Sequence, residues 1–96
     1  MTINRQKRIM YKARKQYDLT PIELRLMLML ANNKFNTYED ARNFAYKQDV
    51  SDETIKAKLK EMQQKFYLRI AINNFGARLR DVVGIIWKRE KNLKIG

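Results

Sequence analysis

The stretch that decides the fold runs from Ser51 to Gly76, Ser-Asp-Glu-Thr-Ile-Lys-Ala-Lys-Leu-Lys-Glu-Met-Gln-Gln-Lys-Phe-Tyr-Leu-Arg-Ile-Ala-Ile-Asn-Asn-Phe-Gly. Its hydrophobic period changes part-way. Ile55, Leu59, Met62 and Phe66 are spaced 4, 3 and 4, one stripe of an amphipathic helix. Ser51 stands before it as a cap, with Asp52 and Glu53 in the first turn, where the helix dipole favours acids. Beyond Phe66, Leu68, Ile70 and Ile72 alternate with Arg69, Ala71 and Asn73, the period of a half-buried strand. Asn73-Asn74-Phe75-Gly76 is turn chemistry, because Asn and Gly tolerate positive φ. The apolar run Val82, Val83, Ile85, Ile86, Trp87 then reads as the returning strand of an antiparallel hairpin.

Upstream lie two more helix starts. Thr20-Pro21-Ile22-Glu23 offers a capping hydroxyl, a proline with preset φ and a carboxylate able to reach back to the cap. Leu24, Leu26, Met27, Leu28, Leu30 and Ala31 make that helix apolar nearly all round, so it belongs in the centre, and Asn32-Asn33 closes it. Thr37-Tyr38-Glu39-Asp40 begins a shorter helix with Ala41, Phe44 and Ala45 on one face. A break at Gln48-Asp49-Val50-Ser51 then leads to the third helix, a helix-turn-helix pattern. In the first seventeen residues Ile3, Met10 and Tyr17 fall seven apart with Ala13 between, which predicts a helix with one narrow apolar seam.

These elements predict a mainly α chain with a β-hairpin: a winged helix-turn-helix, three-helix core plus wing, carrying an extra basic helical segment at its N-terminus. The expected organisation is a basic extension over 1–17, the winged domain over 18–88 and a basic tail over 89–96. From Leu19 to Trp87 the chain resembles the winged helix-turn-helix family, and within it the OmpR-type effector domain. Leu19-Thr20-Pro21-Ile22-Glu23 with Leu26 and Leu30 is similar to that domain's opening core helix. Thr54, Ile55 and Leu59 are similar to the start of its recognition helix, and Val82-Val83-Gly84 with Trp87 to its closing wing. That resemblance puts the wing turn at Val83–Ile86, whereas turn chemistry puts it within 73–81. It also leaves the family's N-terminal sheet without a counterpart, its place taken by the basic segment. A small freestanding chain with basic ends is further similar to accessory DNA-binding proteins of conjugative plasmids or phages.

Charge points the same way. Lys and Arg number 21 against 10 Asp and Glu, a net +11. Residues 1–17 contain no acid and six bases, 18–66 are balanced, and 67–96 carry the rest of the excess. A neutral body between cationic flanks suits a polyanionic partner. Cys and His are absent, which removes disulfides, the usual zinc sites, nucleophile triads and histidine acid–base chemistry. Neither a P-loop nor a dinucleotide fingerprint occurs. No apolar run nears the ~20 residues of a membrane span. The expected protein is therefore cytoplasmic and non-enzymatic, with no cofactor, metal or small-molecule ligand. The resemblance implies that its partner is double-stranded DNA, bound by a homodimer or by several copies on repeated sites, in transcription or as a relaxosome accessory at a plasmid or phage site.

On the third helix, Lys56, Lys60 and Gln64 face away from the apolar stripe and suit phosphates and base edges. At the hairpin, Arg78 and Arg80 alternate with Ala77 and Leu79 and suit a narrow minor groove, with Asn73 and Asn74 at the turn. Arg5, Lys7 and Arg8 at one end, and Lys88 and Arg89 at the other, supply cationic fringes. The hairpin and termini are expected to dominate affinity and the third helix to be secondary. Plainer readings stay open. Lys56, Lys58 and Lys60 also fit a solvated helix face, and the arginines fit incidental ion pairs. Phe44, Phe66, Tyr67 and Trp87 fit a core, while Phe75 suits either a wedge or a ring folded under the hairpin. An RNA- or ribosome-associated role and a protein-interaction module remain alternatives.

Overall fold

The computed structural model describes residues 1–86. Among the described residues, three helices and seven strands in two sheets make an α+β fold. Strands β1 (Thr2–Asn4), β2 (Ile9–Lys12) and β3 (Lys15–Asp18) form an antiparallel meander, and β7 (Gly84–Ile86) joins β1 in parallel, giving the order β3-β2-β1-β7. Helices α1 (Pro21–Leu30), α2 (Tyr38–Ala41) and α3 (Asp52–Lys65) follow, with α2 running on into a π-helical turn over Arg42–Tyr46. Strands β4 (Asn36–Thr37), β5 (Ile70–Ile72) and β6 (Gly76–Leu79) make the second sheet, with β6 central.

The mainly α winged helix-turn-helix with a helical N-terminal segment is thereby corrected. The N-terminal residues are strands, and the seven-residue seam is cross-strand register: Ile3 sits opposite Met10, and Met10 opposite Tyr17. Ile85 extends that row on the other side of Ile3. A spacing of seven is two helical turns, but it is also the distance between partners across a tight hairpin, so periodicity alone favoured neither. The returning strand of the C-terminal hairpin is likewise corrected, from Val82–Trp87 to Gly76–Leu79. Residues 84–86 instead pair in the other sheet, and Trp87, with the 89–96 tail, lies outside the described residues.

Local chemistry explains the helices. Thr20 and Glu23 form a reciprocal capping box with proline in the first turn, Thr37 and Asp40 form a second, and the Ser51 side chain accepts from the Thr54 N–H. Two residues beyond the Ala31 cap of α1, Asn33 turns the chain in the left-handed region, and Tyr67 follows α3 in the same conformation (φ 60° and 55°). Leu26, Met27 and Leu30 of α1, Ile55, Leu59, Met62 and Phe66 of the third helical segment, Ala77 and Leu79 of β6, and Ile3 and Met10 of the meander share one core. Tyr17 packs edge-on against Phe66, at 5.6 Å between ring centroids, tying the meander to the end of α3.

Two aromatics expected in the core are not there. The π-turn keeps Ala41 and Ala45 inward and turns Phe44 out, and Tyr67 projects from its left-handed backbone, so that they are 49% and 67% exposed. Among the described residues no helix is long and apolar enough to cross a membrane.

Candidate nucleic-acid interface

Buried pairing sets up the surface. Glu23 is fully buried, and Lys58 and Lys65 reach its Oε2 at 3.1 and 3.0 Å. Burial alone would raise its pKa, but the Thr20 N–H and the Lys65 and Lys58 ammoniums overcome that and lower it to about 2. Lys58 also holds Glu61. Arg42 clamps Asp52 and Glu39 and donates to the Val50 carbonyl, and its hydrogen bonds to those two carboxylates raise its own pKa. Asp52, at the start of α3, is thus answered by a cation, while Glu53 beside it is exposed. Of the α3 lysines, Lys58 and Lys65 are structural. Lys60 and Gln64 lie exposed on the side away from the apolar stripe, and Lys60 has no acidic partner among the described residues.

The β5–β6 hairpin meets α3 at its turn. Lys56 Nζ donates to Asn74 Oδ1 at 3.1 Å. Asn73 frames the turn: its Oδ1 accepts the Phe75 and Gly76 N–H groups at 2.7 and 3.0 Å, and its own N–H donates to the Gly76 carbonyl. Tyr38, buried at the start of α2, donates its hydroxyl to the Asn73 carbonyl at 2.6 Å. Burial, then the nearby Asp52 and Glu53, raise its pKa and keep it a neutral donor. The structure therefore brings Lys56, Asn73 and Asn74 together, with Asn73's carbonyl side chain committed to the turn.

Along β6 the burial alternates. Ala77 and Leu79 face the core, and Arg78 and Arg80 are exposed. Arg78 lies opposite Ala71, and its Nε donates to the Asn33 carbonyl at 2.9 Å, which fixes the stem and leaves the two terminal nitrogens of the guanidinium. Asn33 in turn donates to the Leu79 and Asp81 carbonyls. The Arg80 N–H donates to the Arg69 carbonyl, and the Arg80 side chain has no acidic partner among the described residues. Arg69, overlooked as a site residue, sits beside Arg80 and contacts Asp81 at 3.5 Å. Its place was available from the alternation of Leu68, Arg69 and Ile70.

The remaining expected residues stand apart. Arg5, Lys7 and Arg8 are exposed in the β1–β2 turn of the other sheet. Lys88 and Arg89 lie outside the described residues. At the opposite turn of the meander, Lys15 lies over the Tyr67 ring at 6.0 Å. An open groove of about 560 Å³ between α1 and the α2 segment is lined by Leu28, Met29, Phe44, three asparagines and Asp40; it carries no cation and does not extend the basic surface. Comparison of the chain with protein-family models, with curated proteins and with solved structures returned no match.

Proposed function

We propose that this chain is a non-enzymatic, sequence-specific double-stranded-DNA-binding protein that uses the outer face of the β5–β6 hairpin together with the exposed side of α3. The observation carrying this reading is the Lys56–Asn74 contact, which joins a basic helix to a ribbon bearing Arg78 and Arg80. A DNA major groove admits a helix, and a ribbon beside it can set arginines in the adjoining minor groove. Exposed guanidinium and ammonium groups beside them supply phosphate contacts, which fix register. The internal pairing of Glu23, Glu39, Asp52 and Glu61 supports the same reading, because those carboxylates already have cationic partners. Service in transcription or as an accessory at a plasmid or phage DNA site, by a dimer or by several copies on repeated sites, is the biological setting suggested by the sequence resemblance.

The hairpin arginines carry more of the affinity than the helix lysines. Replacing Arg78 and Arg80 by Ala, each placed to meet a base edge and the phosphate beside it, costs roughly 1–3 kcal/mol per arginine, and Lys56→Ala with Lys60→Ala costs less. A gel-shift series at matched salt with duplex DNA, duplex RNA and single strands tests the reading, and duplex DNA is expected to bind tightest. Preference for RNA would move the function to the RNA-associated alternative. A larger loss from the lysine pair than from the arginine pair would reverse the division of labour.

A further inference from the structure

The apex of the hairpin is braced from two neighbouring helices, and it presents an apolar ring to water. Phe75 is 75% exposed. Its N–H is held by Asn73 Oδ1, its carbonyl accepts the Tyr38 N–H at 3.3 Å, and the turn is pinned from α2 by the Tyr38 hydroxyl and from α3 by Lys56. Gly76, the next residue, is pressed against β4, where Asn36 and Thr37 leave no room for a side chain. None of this bracing shelters the ring. A braced apex that holds an aromatic outward, with an ammonium beside it and arginines down the strand, has the form of a wedge: apolar at the point, cationic at the shoulders. Protein side chains of this kind enter a base step, unstack it and kink the duplex while flanking cations hold the phosphates.

We propose that Phe75 inserts between two stacked base pairs of the bound duplex and bends it, a role that rests on the duplex-binding reading above. The braces act as positioning groups. They fix the backbone that carries the ring before contact, so less ordering is left to be done when it inserts. The preferred step is a pyrimidine–purine one, which unstacks most easily.

The test uses the full chain on short mixed-sequence DNA duplexes that contain TA steps. Donor and acceptor dyes at the ends report bending, and 2-aminopurine placed beside each step reports unstacking. The wild type is expected to shorten the end-to-end distance and brighten the probe at one step. Phe75→Ala is expected to bind roughly tenfold more weakly, the loss of one stacking contact, and to leave the duplex straight. Phe75→Leu, which keeps an apolar wedge, is expected to retain part of the bend. Thermal melts of both variants should match the wild type, since the ring makes little contact with the fold. Wild-type binding that neither bends nor unstacks DNA, or a Phe75→Ala variant equal to wild type in affinity and bend, would overturn the wedge and leave duplex binding standing. Failure of the wild type to bind any duplex would overturn both.

Discussion

Single residues carry two sharp consequences. Glu23 holds its proton less tightly in the folded chain than in the unfolded one, its pKa falling from 4.5 to about 2. A lowered carboxylate pKa stabilises the fold above the unfolded value, and that contribution fades as pH falls through the folded one. Stability should therefore decline between about pH 5 and pH 2, by an amount on the order of 3 kcal/mol. Denaturant melts of Glu23→Gln should show a stability loss of similar size at pH 7 and a much flatter acid limb. An unchanged acid limb would place the pH dependence elsewhere. Gly76 is the second case. A Cβ there would overlap the Asn36 carbonyl and come within 2.8 Å of the Thr37 Cα, both backbone, so neither can swing away. Gly76→Ala should cost at least about 3 kcal/mol by forcing β4 off β6, against a typical point-mutation loss of about 1. A thermal melt reads this directly, and a neutral result would mean that β4 is not packed on β6.

At the scale of elements, what the sequence disclosed followed from how local the cause was. Thr20, Thr37 and Ser51 cap from within three residues, and the Ile55–Phe66 stripe needs only its own helix, so α1, the start of α2 and α3 were legible. The Asn73-Asn74 turn was legible for the same reason. The strand that follows it was not. Val82–Trp87 is the more apolar candidate, but the strand forms at Gly76–Leu79, where Gly76 and Ala77 pair with β4, a partner some forty residues away. Strand β7 answers to β1, at the far end of the sequence, through parallel pairing that leaves no local trace. In the N-terminal meander the β2–β3 turn is made by Ala13 and Arg14, both at positive φ (50° and 65°), where Asn or Gly usually signals a hairpin. That missing signature hid the strands, and it gives a test with opposite signs. Ala13→Asn with Arg14→Gly relieves two left-handed residues and should stabilise the chain by roughly 1 kcal/mol. In a helix the same pair would destabilise by a comparable amount. Of the candidate interface, the alternation of Arg78 and Arg80 was readable, whereas the Lys56–Asn74 and Arg78–Asn33 contacts depend on tertiary placement and were not.

Across the whole molecule, four of the eight acids in the balanced middle of the sequence are held in ion pairs, and the excess positive charge lies on β-structure as well as on the chain ends. Lys58, Lys65 and Arg42 are occupied by Glu23, Glu61, Glu39 and Asp52, while Lys60 and Arg80 face outward without acidic partners among the described residues. If that outward charge meets a phosphate lattice, affinity must fall as salt rises, and by a slope set by the number of phosphates neutralised. The most direct measurement is the dependence of duplex-DNA affinity on salt for the wild type and for Arg78→Ala with Arg80→Ala. A steep linear decline in log affinity against log salt is expected, with the double variant binding more weakly and its slope shallower by about two. A salt-independent affinity, or slopes that coincide in the two proteins, would contradict the assignment of this face to DNA.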